Sequence, residues 1–169
     1  MNTRSTATLL SLVLSTTMFA AAAASPDGFL DIPWGSSSEE VKQQLIGKTG
    51  TRHGRNEADT VIYHGGTFAG RNVNAFKVWF TGGRLFRGDV FFPAGTGRSA
   101  IDALKKDLTA KYGPPKASGK VIRWAFPVSP SHKEPESIEL SEHKDNQIRL
   151  SYFSETLRAS APAGSKDDL

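Results

Sequence analysis

Four histidines are the residues in this chain best suited to chemistry, and they fall into two pairs of equal spacing. His53 and His64 stand eleven apart, as do His132 and His143. A repeated pair could hold a transition metal or small ligand, and a cleft near His64 and His143 would be its place. The spacing matches no compact zinc motif, there is no H-E-x-x-H, and three of the four histidines fall in polar loops. Solvated loop histidines are therefore the expectation, with no metal and no cofactor.

Nucleophilic and carboxylate chemistry have still less support. The chain lacks G-x-S-x-G, and the serines of Gly35-Ser36-Ser37-Ser38 read better as the cap of a helix. Gly65-Gly66 and Gly95-Thr96-Gly97-Arg98 could present backbone N–H groups to an anion, but neither carries the lysine and hydroxyl of a phosphate-binding loop. Asp89 is one carboxylate on a strand with no evident partner, so the two-carboxylate arrangement of a glycosidase is missing. These residues imply a protein that is not an enzyme.

The elements that position these residues begin after a leader. Met1 to Arg4 is a short basic start, Leu9 to Phe19 is apolar, and Ala20 to Ala24 supplies small residues for cleavage, so 1–24 reads as a signal peptide. The apolar stretch is too short and too interrupted by serine and threonine for a membrane span. A periplasmic or secreted chain without a membrane span in its mature form is expected. The 169 residues include no cysteine, which excludes a disulfide scaffold, a thiol enzyme and a lipoprotein anchor. Arg4 leaves with the leader, and the net charge of +4 falls to +3. Basic and acidic residues are interspersed, so no nucleic-acid surface is expected.

The mature part is read as one α+β domain over 25–155, with a flexible tail over 156–169 that lacks the apolar content to pack. It divides into two αβββ halves, about 36–92 and 98–154. The first helix opens at Ser36 to Ser38 with a capping box of Ser37 and Glu40, turns Val41, Leu45 and Ile46 inward, and stops near Gly47. The second runs from about Ser99 to Tyr112, with Ile101, Leu104, Leu108 and Tyr112 at helical spacing, and ends at Gly113-Pro114-Pro115. Strands are predicted over Thr60 to His64, Arg71 to Phe80 and Arg84 to Phe92, then Lys120 to Phe126, Ser137 to Glu142 and Gln147 to Phe153. Two helices packed on a largely antiparallel sheet follow.

Strand register singles out a surface. If Thr81-Gly82-Gly83 is a three-residue loop, Phe76, Val78 and Phe80 share the core face with Phe86, Val90 and Phe92. Trp79, Leu85 and Phe91 then lie on the opposite face beside Lys77, Arg87 and Asp89. Aromatic residues with neighbouring cations are enriched where partners dock, so Trp79, Leu85, Phe91, Lys77 and Arg87 form the candidate interaction face. The other reading is that the segment Phe29 to Trp34 or the C-terminal tail covers this face. A two-residue Gly82-Gly83 turn would instead move Trp79 onto the face of Phe86. In the second half the alternation is cleaner: Ile138, Leu140, Ile148, Leu150 and Tyr152 point one way, Glu139, Ser141, Arg149 and Ser151 the other.

Ile32-Pro33-Trp34-Gly35-Ser36, then Glu40-Val41 and Leu45, then Lys111-Tyr112-Gly113-Pro114-Pro115 and Trp124 form a pattern that resembles small exported bacterial proteins of uncharacterised function. More distantly, the duplicated helix-plus-sheet arrangement is similar to the beta-lactamase-inhibitor-protein and BamE-like architecture. That resemblance implies protein binding by a sheet face and no catalysis. The chain departs from it in lacking both the lipobox cysteine and the disulfides. The expected function is an exported protein-binding module, such as an inhibitor, immunity factor or envelope-assembly accessory with an envelope or secreted protein as partner. A periplasmic small-ligand or metal-binding protein is the alternative.

Overall fold

The first helix, α1 (Ser38–Thr49), starts where the sequence supplies its cap. Ser37 accepts from the Glu40 N–H while the Glu40 carboxylate accepts from the Ser37 N–H at 2.8 Å, completing a capping box. The helix runs through Gly47, where a stop is predicted from sequence. Its end is set instead by Gly50, at φ 68°, whose N–H donates to the Ile46 carbonyl at 3.0 Å. A glycine inside a helix costs about 1 kcal/mol and does not forbid it, whereas the left-handed cap needs one. Val41 and Leu45 are buried, while Ile46 is exposed.

The computed structural model describes residues 25–93, 97–117, 119–129 and 133–162. The leader 1–24, Gly95, Thr96, His132 and the last seven residues lie outside the described residues. After α1 come β1 (Arg52–Glu57), β2 (Thr60–His64), β3 (Thr67–Phe68), β4 (Arg71–Asn72), β5 (Ala75–Thr81) and β6 (Arg84–Phe92). Then follow α2 (Gly97–Tyr112), β7 (Val121–Phe126), β8 (Glu136–Glu142), β9 (Ile148–Ser154) and α3 (Glu155–Ser160). The fold is α+β, with helices on a seven-stranded antiparallel sheet ordered β1-β2-β5-β6-β9-β8-β7, beside a two-stranded ribbon of β3 and β4. The last strand of each half, β6 and β9, meet at its centre. No helix among the described residues is long and apolar enough to cross a membrane.

Three elements depart from the sequence reading. The strand expected over Arg71 to Phe80 is broken, because Arg71 and Asn72 belong to the ribbon and the sheet strand starts at Ala75. The first half places four strands in the main sheet, β1 being an edge strand of almost wholly exposed residues. Residues 155–160, expected within or beside a flexible tail, form α3, whose N-cap Ser154 accepts from the Leu157 N–H at 3.3 Å.

The main core lies on one face of the sheet. Val41 and Leu45 of α1 and Leu104, Leu108 and Tyr112 of α2 pack there with Phe76, Val78, Phe80, Val90, Ile138, Leu140, Leu150 and Tyr152. The segment Phe29 to Trp34 also joins this face. Phe29 and Ile32 exchange hydrogen bonds of 2.9 and 3.0 Å across a Leu30-Asp31 turn, and the Phe29 ring fills the space that a side chain at Gly88 would occupy. Trp34 Nε1 donates to Glu136, whose other oxygen accepts from the Asp27 N–H at 3.1 Å.

Candidate functional site

The second face of the sheet carries the candidate residues, and the β5–β6 turn decides which of them. Thr81 pairs with Arg84 across a two-residue Gly82-Gly83 turn, with both glycines at positive φ of 54° and 74°. The register shifts between Trp79, which pairs with Arg87, and Phe80, which pairs with Leu85. Phe86 is the extra residue of this bulge. Directly paired residues share a face, so Leu85 joins the main core with Phe80, and Phe86 packs with Trp79 on the second face. The three-residue loop assumed from sequence had these two reversed. Beyond the bulge the slip cancels, and Lys77, Trp79, Arg87, Asp89 and Phe91 share the second face.

Of the five candidate residues, Trp79, Leu85 and Arg87 are buried at 5%, 0% and 1% exposure, while Lys77 and Phe91 are half-buried. An exposed Trp79-Leu85-Phe91 patch therefore does not exist. Trp79 and Phe86 are covered by Leu157 and Ala161, so the C-terminal segment takes the covering role and the N-terminal segment lies on the other face. The polar side of the second half is buried as well: Glu139, Ser141, Arg149 and Ser151 are all largely removed from water. Part of the reason is α3. Its Glu155 accepts from Arg123 at 2.7 Å and from the Ser137 hydroxyl, and its Arg158 approaches Glu139 at 3.8 Å and lies 4.3 Å from the Phe153 ring centre.

At the centre is a buried ion pair with an aromatic frame. Arg87 Nε donates to Asp89 Oδ1 at 2.9 Å, and Trp79 Nε1 donates to Asp89 Oδ2 at 3.2 Å. Arg87 Nη2 stands 2.8 Å from Asp89 Oδ2, within ion-pair distance but off the hydrogen-bond axis. The guanidinium carbon lies 4.7 Å from the Trp79 ring centre and 5.2 Å from that of Phe153. Lys77 Nζ sits 4.0 Å from the Trp79 ring centre. Cations over aromatic faces gain from the ring quadrupole, most where water is excluded. Both Asp89 carboxylate oxygens are thus engaged by Arg87 and Trp79.

The open half of this face lies toward β1. Cross-strand pairing aligns Arg52, His64, Ala75 and Phe91 in one row, and Arg55, Ile62, Lys77 and Asp89 in the next. Arg52, Arg55 and His64 are exposed, while Ile62, Ala75, Lys77 and Phe91 are half-buried. Arg55 pairs with Glu57 at 2.5 Å. Among the described residues, Arg52 and Lys77 make no ion pair.

The three described histidines, His53, His64 and His143, do not converge. His64 is separated from Phe91 by β5, and His143 packs edge-on against Phe91 with ring centres 5.4 Å apart. Burial, then the charges of Arg149 and Lys144, push the His143 pKa down from its usual value. His53 stacks edge-on to Tyr63 at 5.5 Å on the other face and contacts Asn56 Oδ1 at 3.0 Å. Among the described residues, no three His, Asp or Glu side chains are grouped to hold a metal. The Gly65 N–H is engaged by the Asn74 carbonyl at 2.8 Å, so that glycine pair shapes a loop.

No protein-family model, curated protein or solved structure matches the chain. The residues that sequence reasoning missed are Arg52 and Arg55 on β1 and Leu157 and Arg158 on α3. The Ser154 cap three residues before Leu157 is the local signal that could have found α3.

Proposed function

We propose that this protein is an exported, non-enzymatic binding module that docks an acidic surface of another envelope or secreted protein on the open half of its second sheet face. The contact residues are Lys77 and Phe91 together with Arg52, Ile62 and His64. Trp79 and Arg87 form its buried floor, and Leu85 has no part in it. The observation that carries this reading is the row pair at the β1 side of the sheet. It sets two cations without ion pairs among the described residues beside half-buried apolar side chains, on a strand framework held rigid by the Arg87–Asp89 pair. Charge of one sign on such a surface steers an oppositely charged partner and rejects others. An inhibitor, immunity factor or assembly accessory would use such a face.

The test passes an envelope extract over the immobilised protein, wild type beside Arg52→Glu, Lys77→Glu and a control, Lys106→Glu, on the exposed surface of α2. A partner held by the wild type and the control, released by salt and lost by both face variants, supports the reading. A partner held equally by all four, or none held by the wild type, refutes docking at this face.

A further inference from the structure

On the opposite side of the sheet, a cavity of about 220 Å³ opens between the N-terminal segment, the β3–β4 ribbon and the last turn of α2. Its walls are Leu30, Asp31, Phe68, Lys111, Tyr112 and Tyr152. Backbone strain is concentrated around it. Five non-glycine residues among those described have positive φ; Leu30 (55°), Asp31 (59°) and Ala69 (48°) line the cavity. Asp27 (47°) lies between its lining residues Pro26 and Gly28, and Asn146 alone is elsewhere. Leu30-Asp31 and Ala69-Gly70 are tight turns that each place a side-chain-bearing residue where glycine is usual, and strain of this kind collects at ligand sites.

The side chains define what could enter. Phe68 stacks edge-on to Phe92 at 5.9 Å and tilts over Tyr152 at 6.5 Å, forming an aromatic wall. The Tyr112 and Tyr152 phenols both line the cavity. Burial first, then Tyr112 and the charge of Asp31, keep Tyr152 protonated far into the alkaline range. A protonated phenol has an O–H to donate. Lys111 adds an ammonium 5.0 Å from the Tyr112 ring centre and makes no ion pair among the described residues, whereas Asp31 faces Lys48 at 3.8 Å. The surplus at the mouth is therefore donors and one positive charge. A cavity of about 150 Å³ can hold benzene, so this volume admits a single ring with a small polar group.

We infer that this cavity binds a small organic carboxylate bearing one ring or a branched apolar group, its carboxylate at Lys111 and the Tyr112–Tyr152 pair and its apolar body on Phe68 and Leu30. The inference is independent of the docking face, which lies across the sheet. Benzoate serves as the probe, with benzamide as its neutral counterpart, titrated into the purified full chain by calorimetry and by NMR. The expected result is one saturable site that shifts the Tyr112 and Tyr152 ring resonances. Lys111→Met, at an exposed position, should weaken benzoate about tenfold, the worth of a charge-assisted hydrogen bond, while leaving benzamide unchanged. Phe68→Ala, checked for folding, should weaken both ligands. No saturable benzoate binding, equal affinity in Lys111→Met, or shifts confined to the Phe91–His143 side each overturns the inference.

Discussion

Gly88 on β6 tests whether the N-terminal segment is keyed into the core or merely rests on it. A methyl group added there would lie 2.2 Å from Phe29 Cγ and 2.4 Å from both Cδ atoms, against an optimal carbon–carbon separation of about 3.5 to 4.0 Å. Phe29 is fully buried, 6.5 Å from Phe76 and 5.8 Å from Tyr152 between ring centres, and its backbone is held by two hydrogen bonds to Ile32. The ring is packed against Phe76 and Tyr152, so Gly88→Ala must strain that packing or displace the ring. Overpacking costs about 1 to 3 kcal/mol, and loss of a buried phenylalanine costs about 3 to 5 kcal/mol. We expect Gly88→Ala to cost about 3 kcal/mol, measured by urea unfolding monitored by circular dichroism. At about 3 °C per kcal/mol for a domain of this size, the melting temperature should fall by about 10 °C. A double-mutant cycle isolates the cause: if the methyl acts only through the ring, Gly88→Ala with Phe29→Ala together should cost no more than Phe29→Ala alone. A Gly88→Ala cost below about 0.5 kcal/mol, within the range of inert substitutions, or costs that add in the double variant, would refute this account.

The buried pair on the second face should respond asymmetrically. Asp89→Ala leaves the Arg87 guanidinium without its counter-charge and should lose about 3 to 5 kcal/mol, whereas Arg87→Met with Asp89→Leu should lose far less; equal losses in a denaturant titration would contradict the assignment. Tyr63 is buried with no hydrogen-bond partner for its hydroxyl among the described residues, and its pKa is pushed up to about 12, mainly by burial. Tyr63→Phe should therefore be neutral or slightly stabilising at pH 7. Because the folded pKa exceeds the unfolded value of about 10, the wild type should lose stability as pH rises from about 10 through about 12, and the variant should lose less. Stability measured across that window checks the sign. Ala69→Gly should raise stability by up to about 1 kcal/mol, since Ala69 holds a left-handed φ of 48°, while an ordinary Ala→Gly change lowers it. Thermal unfolding of the variant distinguishes the two.

Helices α1 and α2 and most strands could be read from short stretches of sequence because their signals are local. Ser37 and Glu40 meet within one turn, Gly113 follows Tyr112 directly, and the alternation of Ile138 with Leu140 and of Ile148 with Leu150 reports one buried face without reference to any partner. Strand β1 gives no such signal. Arg52 to Glu57 is an edge strand open to water on its residues, so no apolar pattern is required of it, and only its pairing with β2 marks it as a strand. The candidate face was legible in part. That Trp79, Lys77, Asp89 and Phe91 share a side follows from alternation once the turn is crossed, but the exchange of Leu85 and Phe86 depends on a bulge that β5 imposes on β6.

Sequence by itself determined the α+β class, the N-cap of α1, the end of α2 and the inward face of β8 and β9, because the signals for these elements lie between residues one to four apart. Tertiary structure decided which of the two sheet faces stays open. Leu157 and Ala161, in a stretch whose composition reads as a tail, come to lie on Trp79 and Phe86. A short polar helix has too little apolar surface to announce itself. It is ordered here because Trp79 and Phe86 already offer a preformed apolar surface, built by strands distant in the chain, and covering it removes that surface from water.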